Sequence, residues 1–345
     1  MSQKNERQPR LLVKAAGLCC AVGYSLAAAS CAMRAGMDHF QEGDFIDQLG
    51  EPLVVARLPL DDVWGAKRLA LIVKLAVEDC AKTVGHIDPD HTALFFLAAE
   101  KQRPHTETER YHEAYLAIEE QCKARFHSAS TIIPQGRAGI GDALLHAQKV
   151  LASNTVKQVL LVGADSYLNS ATIESYLAQS RLLSSENSNG FIPGEAAGAV
   201  LLELANEQSS GLHISGVGRA LEAAKPGGEL PNRAIGLTHA MRQACEGAGI
   251  APSELLFRLS DQNGEQYFAK EAANACTRLM SEESVFLPVM TIADCVGEVG
   301  AAAGAAMLAY LLTIMGRRDG PGHTGLMHLA NDDGRRCAVI LEQFA

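Results

Sequence analysis

Residues 190–203 read Gly-Phe-Ile-Pro-Gly-Glu-Ala-Ala-Gly-Ala-Val-Leu-Leu-Glu. The glycines and the proline at the start of this stretch predict a tight turn. The apolar run from Ala199 to Leu202 predicts a strand that is covered on both faces, because a half-exposed strand alternates apolar and polar residues. The run from Val159 to Val162 has the same character. Both runs indicate a sheet that is enclosed between other layers.

Strand-like runs alternate with helical patterns along the chain, which is typical of a layered α/β protein. The predicted strands are Arg10–Ala16, Thr92–Ala98, Gln158–Val162, Gly198–Leu204, His213–Gly218, Leu255–Leu259 and Cys337–Glu342. The predicted helices are Ser25–Ala35, Trp64–Val84, Glu107–Arg125, Gly139–Ala152, Ser170–Gln179, Arg233–Gly247, Gln266–Met280 and Glu298–Met315. Stretches rich in proline and glycine predict loops over Lys225–Asn232 and Arg317–Thr324.

The composition indicates a globular protein with a large core. Hydrophobic residues make up 48% of the 345 residues, and charged residues make up 20%. This length exceeds the size at which one core usually stops growing, so we expect two sub-domains or one large layered domain. The net charge is -10 and no long basic run occurs. Nucleic-acid binding is therefore not expected, since phosphate contacts need clustered lysine and arginine.

Cysteine usage and hydropathy indicate the compartment. The nine cysteines are scattered without CxxC pairs, which predicts reduced thiols in a cytoplasm and no zinc site. Two apolar stretches, Leu11 to Cys31 and Val299 to Met315, resemble export or membrane segments. Lys14 interrupts the first stretch, and the second is shorter than the roughly 20 residues that a span needs. We expect a cytoplasmic protein without a membrane span.

The central piece from Ser128 to Glu203 carries three motifs in order. It begins Ser-Ala-Ser-Thr-Ile-Ile-Pro-Gln-Gly-Arg-Ala-Gly-Ile-Gly-Asp-Ala, continues to Gln-Val-Leu-Leu-Val-Gly-Ala-Asp-Ser, and closes with the stretch at 190–203. It resembles the middle of a β-ketoacyl synthase, where the nucleophile's turn leads into a buried helix, a strand and a glycine-rich hairpin. The stretches 296–304 and 336–341 resemble the late helix and the closing strand of the same family.

The resemblance implies an α/β fold of the thiolase-like type, with five layers in the order αβαβα and two pseudo-duplicated halves. We expect an N-terminal half over residues 1–205 and a C-terminal half over residues 206–345. The resemblance also implies a dimer formed through the strand near the nucleophile. It implies neither a metal nor another cofactor.

The family's catalytic positions are occupied by unexpected residues. Condensing enzymes need a thiolate at a helix N-terminus and two groups, usually two histidines or a histidine and an asparagine, that promote decarboxylation. Alignment on residues 140–143 places the nucleophile position on Ile133. The first histidine position is nearest to Asn263, and the second falls on Gly297. These positions are predicted to be degenerate.

This prediction does not depend on a small shift of the alignment. No cysteine occurs from residue 123 to 244, and no histidine occurs from residue 240 to 322. Cys295, two positions before Gly297, is a candidate relocated nucleophile, although its sequence context favours a small buried residue. Further pocket or structural positions are predicted at Pro134, Gly136, Phe191, Gly194, Glu195, Asp261 and Glu298.

The expected function is that of a β-ketoacyl synthase-like protein without condensing chemistry, which acts as a scaffold, an adaptor or an acyl-binding partner. We expect a homodimer, or a heterodimer with a thiolase-fold protein. An acyl-carrier protein and a secretion-system component are further candidate partners. The alternative is an acyltransferase or thioesterase that acts on acyl-carrier-protein or CoA thioesters through residues such as Cys295. Covalent loading of an acyl group distinguishes the two.

Overall fold

The strands and helices come from a computed structural model that describes residues 7–60, 63–280 and 287–345. The strands are β1 (Leu11–Cys20), β2 (Gln41–Ile46), β3 (Pro52–Val55), β4 (Thr92–Ala98), β5 (Thr131–Pro134), β6 (Gln158–Ser166), β7 (Glu195–Leu204), β8 (Gly211–Leu221), β9 (Phe257–Ser260), β10 (Val289–Thr291), β11 (Thr324–Ala330) and β12 (Arg335–Phe344). The helices are α1 (Leu26–Arg34), α2 (Gly65–Val84), α3 (Thr108–Cys122), α4 (Gly139–Ala152), α5 (Ser170–Ala178), α6 (Ile235–Ala248), α7 (Gln266–Leu279), α8 (Ala293–Val296) and α9 (Ala303–Ile314).

Two similar sets of five strands make up the main sheet. Its order is β10-β9-β11-β12-β8-β1-β7-β6-β4-β5, while β2 and β3 form a separate pair. In the set β1-β7-β6-β4-β5 the successive pairings are antiparallel, antiparallel, parallel and parallel. The set β8-β12-β11-β9-β10 repeats this sequence of directions. The two sets join where Leu11 and Leu12 of β1 pair with Ile214 and His213 of β8.

Helices separate the two sets of strands and cover their outer faces. Helix α9 packs against β1, β6 and β7, and α4 packs against strands of both sets. Helix α2 covers the outer face of the first set and packs on α3, while α6 covers the second set and packs on α7. The resulting order of layers is αβαβα, as the sequence predicts.

The middle layer depends on small residues. Helix α9 is buried along most of its length, as expected for a helix that is apolar on every side. A Cβ added at Gly198 of β7 would lie 2.8 Å from the backbone nitrogen of Ala306, so glycine lets α9 rest directly on the sheet. A side chain at position 198 would push α9 away from β7.

Most predicted elements are confirmed, and the differences have local causes. The predicted helix Glu298–Met315 begins only at Ala303, because Gly297 and Gly300 have positive φ and a 3₁₀ turn precedes α9. The sequence did not predict β2, β3, β5, β10 and β11; β5 and β10 have only four and three residues, too few to show a strand period.

The two membrane-like stretches belong to the folded core. Leu11 to Cys31 forms β1 and the start of α1, and Val299 to Met315 contains α9. Within the described ranges, no helix combines the length and hydropathy needed to cross a bilayer. The first half of the chain ends with β7 and the second begins with β8, although the division into folding units 1–205 and 206–345 stays a prediction.

Candidate functional site

The predicted nucleophile position lies at the end of an edge strand. Ile133 pairs with Leu97 of β4, and its side chain is 9% exposed. Pro134 ends the strand. Gly136 follows with φ of +63°, and a Cβ there would collide with the carboxylate of Glu100. This turn therefore requires glycine, and the side chain of Ile133 just before it is apolar.

A buried arginine fills the same turn. Arg137 is 6% exposed, and its Nη1 donates to Oε2 of Glu298 at 2.8 Å. Its guanidinium carbon lies 4.9 Å from the ring centroid of Phe268. Burial opposes the charge of Arg137, but the carboxylates of Glu298 and Asp261 raise its pKa well above the usual value. The arginine is therefore charged and neutralised by carboxylates from the second half of the chain.

The side chains of Asn263 and Glu298 are hydrogen-bonded to each other. Nδ2 of Asn263 donates to Oε2 of Glu298 at 2.6 Å, and the backbone nitrogen of Gly300 donates to Oε1 at 2.8 Å. Together with Arg137, these contacts give both oxygens of Glu298 a donor. The carboxylate is therefore committed to structural hydrogen bonds.

Gly297 occupies backbone space that excludes side chains. Its φ and ψ are +70° and -165°, a region that is essentially restricted to glycine. An added Cβ would lie 2.7 Å from the carbonyl oxygen of Ile192 and 2.9 Å from Cβ of Ala56. Any residue larger than glycine must therefore displace the hairpin that contains Ile192.

Asp261 is a buried carboxylate with a perturbed proton affinity. Burial raises its pKa to about 6, while the nearby charge of Arg137 opposes this rise. Its Oδ2 accepts from the backbone nitrogen of Ala330 at 2.8 Å and lies 3.7 Å from Nε of Arg137. Asp261 thus joins the charges around Arg137.

A second arginine extends these contacts toward the surface. Arg181 donates through Nε to Oε1 of Glu265 at 2.7 Å and through Nη1 to Oδ2 of Asp332 at 2.6 Å. Asp332 also lies 3.7 Å from Nη2 of Arg137, which connects the two arginines. We call the connected group the central ion cluster, and it consists of Arg137, Arg181, Asp261, Glu265, Glu298 and Asp332.

The ring of Phe191 packs among other aromatic side chains. Its ring packs edge-on against Tyr167 and Tyr176, with centroids 5.4 Å and 5.2 Å away. The guanidinium of Arg181 lies 6.0 Å from the same ring. The predicted hairpin is therefore anchored in a small aromatic core next to the central ion cluster.

Gly194 and Glu195 join this hairpin to different parts of the fold. The backbone nitrogen of Gly194 donates to the carbonyl oxygen of Glu298 at 3.0 Å. Glu195 is fully buried and binds Arg68 of α2, with Nη2 and Oε1 2.5 Å apart. Glu195 also accepts from the backbone nitrogen of Leu58 at 3.0 Å. Glu195 therefore anchors the start of β7 to α2 and to the segment before that helix.

Cys295 has the surroundings of a core residue. It lies in the short helix α8, and its side chain is 5% exposed. Burial raises the pKa of its thiol, and the negative charges of Asp294 and Asp38 raise it further. Asp294 itself accepts from the hydroxyl of Thr291 at 2.5 Å. A neutral thiol is a poor nucleophile.

Sequence reasoning missed most of the central ion cluster. Arg137 lies in a run of small and apolar residues that forms a buried turn and helix. An arginine in such a run indicates a buried, paired charge, and this was the signal that could have found it. Arg181 and Asp332 occupy loops, and their sequence neighbours do not indicate that they meet.

One histidine, His328, lies beside the site and is expected to make folding depend on pH. Burial and the charge of Arg258 lower its pKa from 6.5 to about 3, and Nη1 of Arg258 lies 3.2 Å from Nε2. The unfolded chain therefore binds the proton more tightly. The contribution of His328 to stability is complete above pH 6.5 and is lost as the pH drops toward 3, with a loss of about 2 kcal/mol at pH 5.

Urea unfolding at several pH values measures this contribution. In His328→Gln an amide oxygen can still accept from Arg258 but cannot titrate, so the stability should fall less between pH 6.5 and 5 than in the wild type. His323 is exposed, and His323→Gln should keep the wild-type slope. Equal slopes for the wild type and His328→Gln would contradict the prediction.

Comparison with known proteins identifies the fold. No family model matches the sequence, and no curated protein matches it. Solved structures do match. A type II polyketide synthase acyl-carrier protein in complex with its ketosynthase bound to the hexaketide gives a TM-score of 0.80 at 15% identity, over 98% of this chain and 100% of that chain.

Two further structures agree. The ishigamide ketosynthase/chain length factor gives a TM-score of 0.72 at 17% identity, over 97% of this chain and 99% of that chain. A β-ketoacyl synthase from Burkholderia phymatum STM815 gives 0.75 at 15% identity, over 98% of this chain and 100% of that chain. The chain therefore has the thiolase-like fold that these ketosynthase structures share.

Proposed function

We propose that this chain is a β-ketoacyl synthase-like protein that does not condense acyl groups and that acts as a scaffold or adaptor. The observation that supports the proposal is which side chains fill the predicted catalytic site. In this proposal Ile133 occupies the nucleophile position, and the turn after it is filled by Arg137 bound to Glu298. Isoleucine cannot attack a thioester.

The other two positions support the same proposal. Condensation needs groups that donate hydrogen bonds to a developing enolate oxygen. Nδ2 of Asn263 is instead hydrogen-bonded to the carboxylates of Glu298 and Glu265, at 2.6 Å and 3.2 Å. Gly297 has no side chain and no room for one. In this proposal an apolar side chain, an amide hydrogen-bonded to two carboxylates and a glycine stand in place of the three catalytic groups.

The partner in this proposal is a second thiolase-fold chain, identical or related. Strand β5 is at the end of the strand order and pairs on one side only, with β4, among the described strands. An apolar cavity of about 580 Å³ lies beside it, with Ala98, Tyr111, Ile132 and Pro134 in its walls. An unpaired edge next to apolar surface is suited to strand pairing with another chain. The ketosynthase/chain length factor among the similar structures supports a heterodimer.

The test is acyl loading measured by intact mass. After incubation with acetyl-CoA or an acylated acyl-carrier protein, the wild-type chain and Cys295→Ala should both keep the mass of the unmodified protein, because the buried thiol is protonated. A condensing enzyme in a parallel sample shows that the probes are active. Native mass measurement on the same samples reports whether the chain is a homodimer or needs a related partner chain.

The opposite result would favour an enzyme. A stable adduct on the wild-type chain that disappears in Cys295→Ala would establish Cys295 as an acyl acceptor and support an acyltransferase or thioesterase. Cys31 is exposed, so Cys31→Ala is the matched control for adventitious acylation of a surface thiol.

A further inference from the structure

A second cavity lies on the outer side of the first half, where three helices begin. It has a volume of about 440 Å³. Trp64 and Gly65 at the start of α2, Glu107 before α3, and Asn169 and Ser170 at the start of α5 are all in its walls. None of these residues belongs to the central ion cluster.

Two of the three helix N-termini bring uncapped N–H groups to this cavity. The first N–H groups of a helix lack partners within the helix, and the helix dipole places partial positive charge at that end. Neither Trp64 before α2 nor Glu107 before α3 forms a side-chain cap, whereas Asn169 caps α5 by accepting from the backbone nitrogen of Thr172 at 2.9 Å. Backbone N–H groups that converge in this way are suited to an oxyanion.

Arg110, which lines the cavity, supplies a second and independent observation. It is 6% exposed, and its Nη2 donates to the hydroxyl of Tyr111 at 2.8 Å and to the carbonyl of Ser166 at 3.0 Å. Its buried Nε finds no acceptor among the described residues. The unpaired Nε adds to the cost of burying this guanidinium, and an anion in the adjoining cavity would offset that cost.

The charge of Arg110 is also incompletely compensated. Asp165 is the nearest carboxylate, at 3.4 Å from Nη2. Its two oxygens are already held by Arg103, at 2.5 Å and 2.7 Å. Two buried arginines therefore share one carboxylate, and burying a cation without its own counterion is unfavourable. An anion in the cavity would provide the missing charge.

The remaining walls indicate the shape of the ligand. Phe45, Leu69, Leu168 and the half-exposed ring of Trp64 provide apolar surface, and the guanidinium carbon of Arg57 lies 4.1 Å from the Trp64 ring centroid. Asp44 and Glu107 are acidic, but both are exposed and screened by water. The cavity is large enough for an organic group in addition to an oxyanion.

We propose that this cavity binds a small organic oxyanion, a phosphate monoester or a carboxylic acid with a planar apolar part, through Arg110 and the N-termini of α2 and α3. The site is separate from the position of Ile133 and does not depend on whether the chain condenses acyl groups.

Trp64 makes the test direct, because it is the only tryptophan in the sequence. Titration of the whole protein with phenyl phosphate, benzoate or benzyl alcohol is followed by tryptophan fluorescence. We expect saturable changes with at least one of the two anions and none with the neutral alcohol. The anion that binds more tightly shows whether the site prefers a phosphoryl or a carboxylate group. A linear response to both anions, or equal binding of benzyl alcohol, would overturn the proposal.

Variants locate the binding group. Arg110→Gln should weaken binding at least about tenfold, since it removes charge-assisted donors. Because Arg110 is buried, Ser170→Asp is a second test: it adds a negative charge to the cavity wall at a helix start, where acidic residues favour folding. Ser170→Asp should abolish anion binding, whereas Ser170→Ala and the exposed-site control Arg125→Gln should bind like the wild type. Unchanged binding by a folded Ser170→Asp protein would refute the assignment.

Discussion

Replacing Arg137 with methionine is expected to lower the free energy of unfolding by about 3–5 kcal/mol, because it leaves buried carboxylates without their cation. Glu298 would lose the donor at 2.8 Å, and Asp261 would lose its nearest positive charge. Urea denaturation followed by circular dichroism measures the change. The matched control is Arg34→Met, since the pair formed by Arg34 and Asp319 is exposed and contributes at most about 1 kcal/mol.

A double variant separates charge from packing. Glu298→Gln keeps an acceptor for the backbone nitrogen of Gly300 but removes the negative charge that Arg137 neutralises. If buried charge causes the loss, Arg137→Met combined with Glu298→Gln should be less destabilised than the sum of the two single variants. Additive losses would assign the effect of Arg137→Met to its packing against Phe268.

Gly297→Ala is expected to cost about 3 kcal/mol or more, which is unusual for the addition of one methyl group. The φ and ψ of Gly297 alone cost an L-residue about 1–3 kcal/mol. The contact of 2.7 Å with the carbonyl of Ile192 adds the cost of moving the hairpin. Thermal or urea unfolding gives the difference from the wild type.

Gly50→Ala is the control that measures the cost of a positive φ without a steric clash. It has φ of +84°, but an added Cβ would meet nothing within 4 Å. Gly50→Ala should therefore cost only about 1 kcal/mol. Similar losses at Gly297 and Gly50 would show that the hairpin moves away easily. The same obstruction applies more strongly to histidine, so Gly297→His is expected to disturb the fold before it can supply a catalytic group.

The sequence by itself determined the layered architecture and much of its order. Continuous apolar runs such as Leu160 to Val162 predicted strands covered on both faces, and β6 is buried over that run. Such predictions succeed because the period of the side chains and the turn residues act within a few positions of the chain. The lack of cysteine from 123 to 244 is likewise a property of the sequence alone.

Only the tertiary structure decided what surrounds these positions. Arg137 and Glu298 are 161 residues apart, and they meet because the turn before α4 faces the loop before α9. Likewise, the starts of α2, α3 and α5 surround one cavity although they are distant in sequence. Neither arrangement has a local signature, because both result from how the layers stack, which sequence periodicity does not specify.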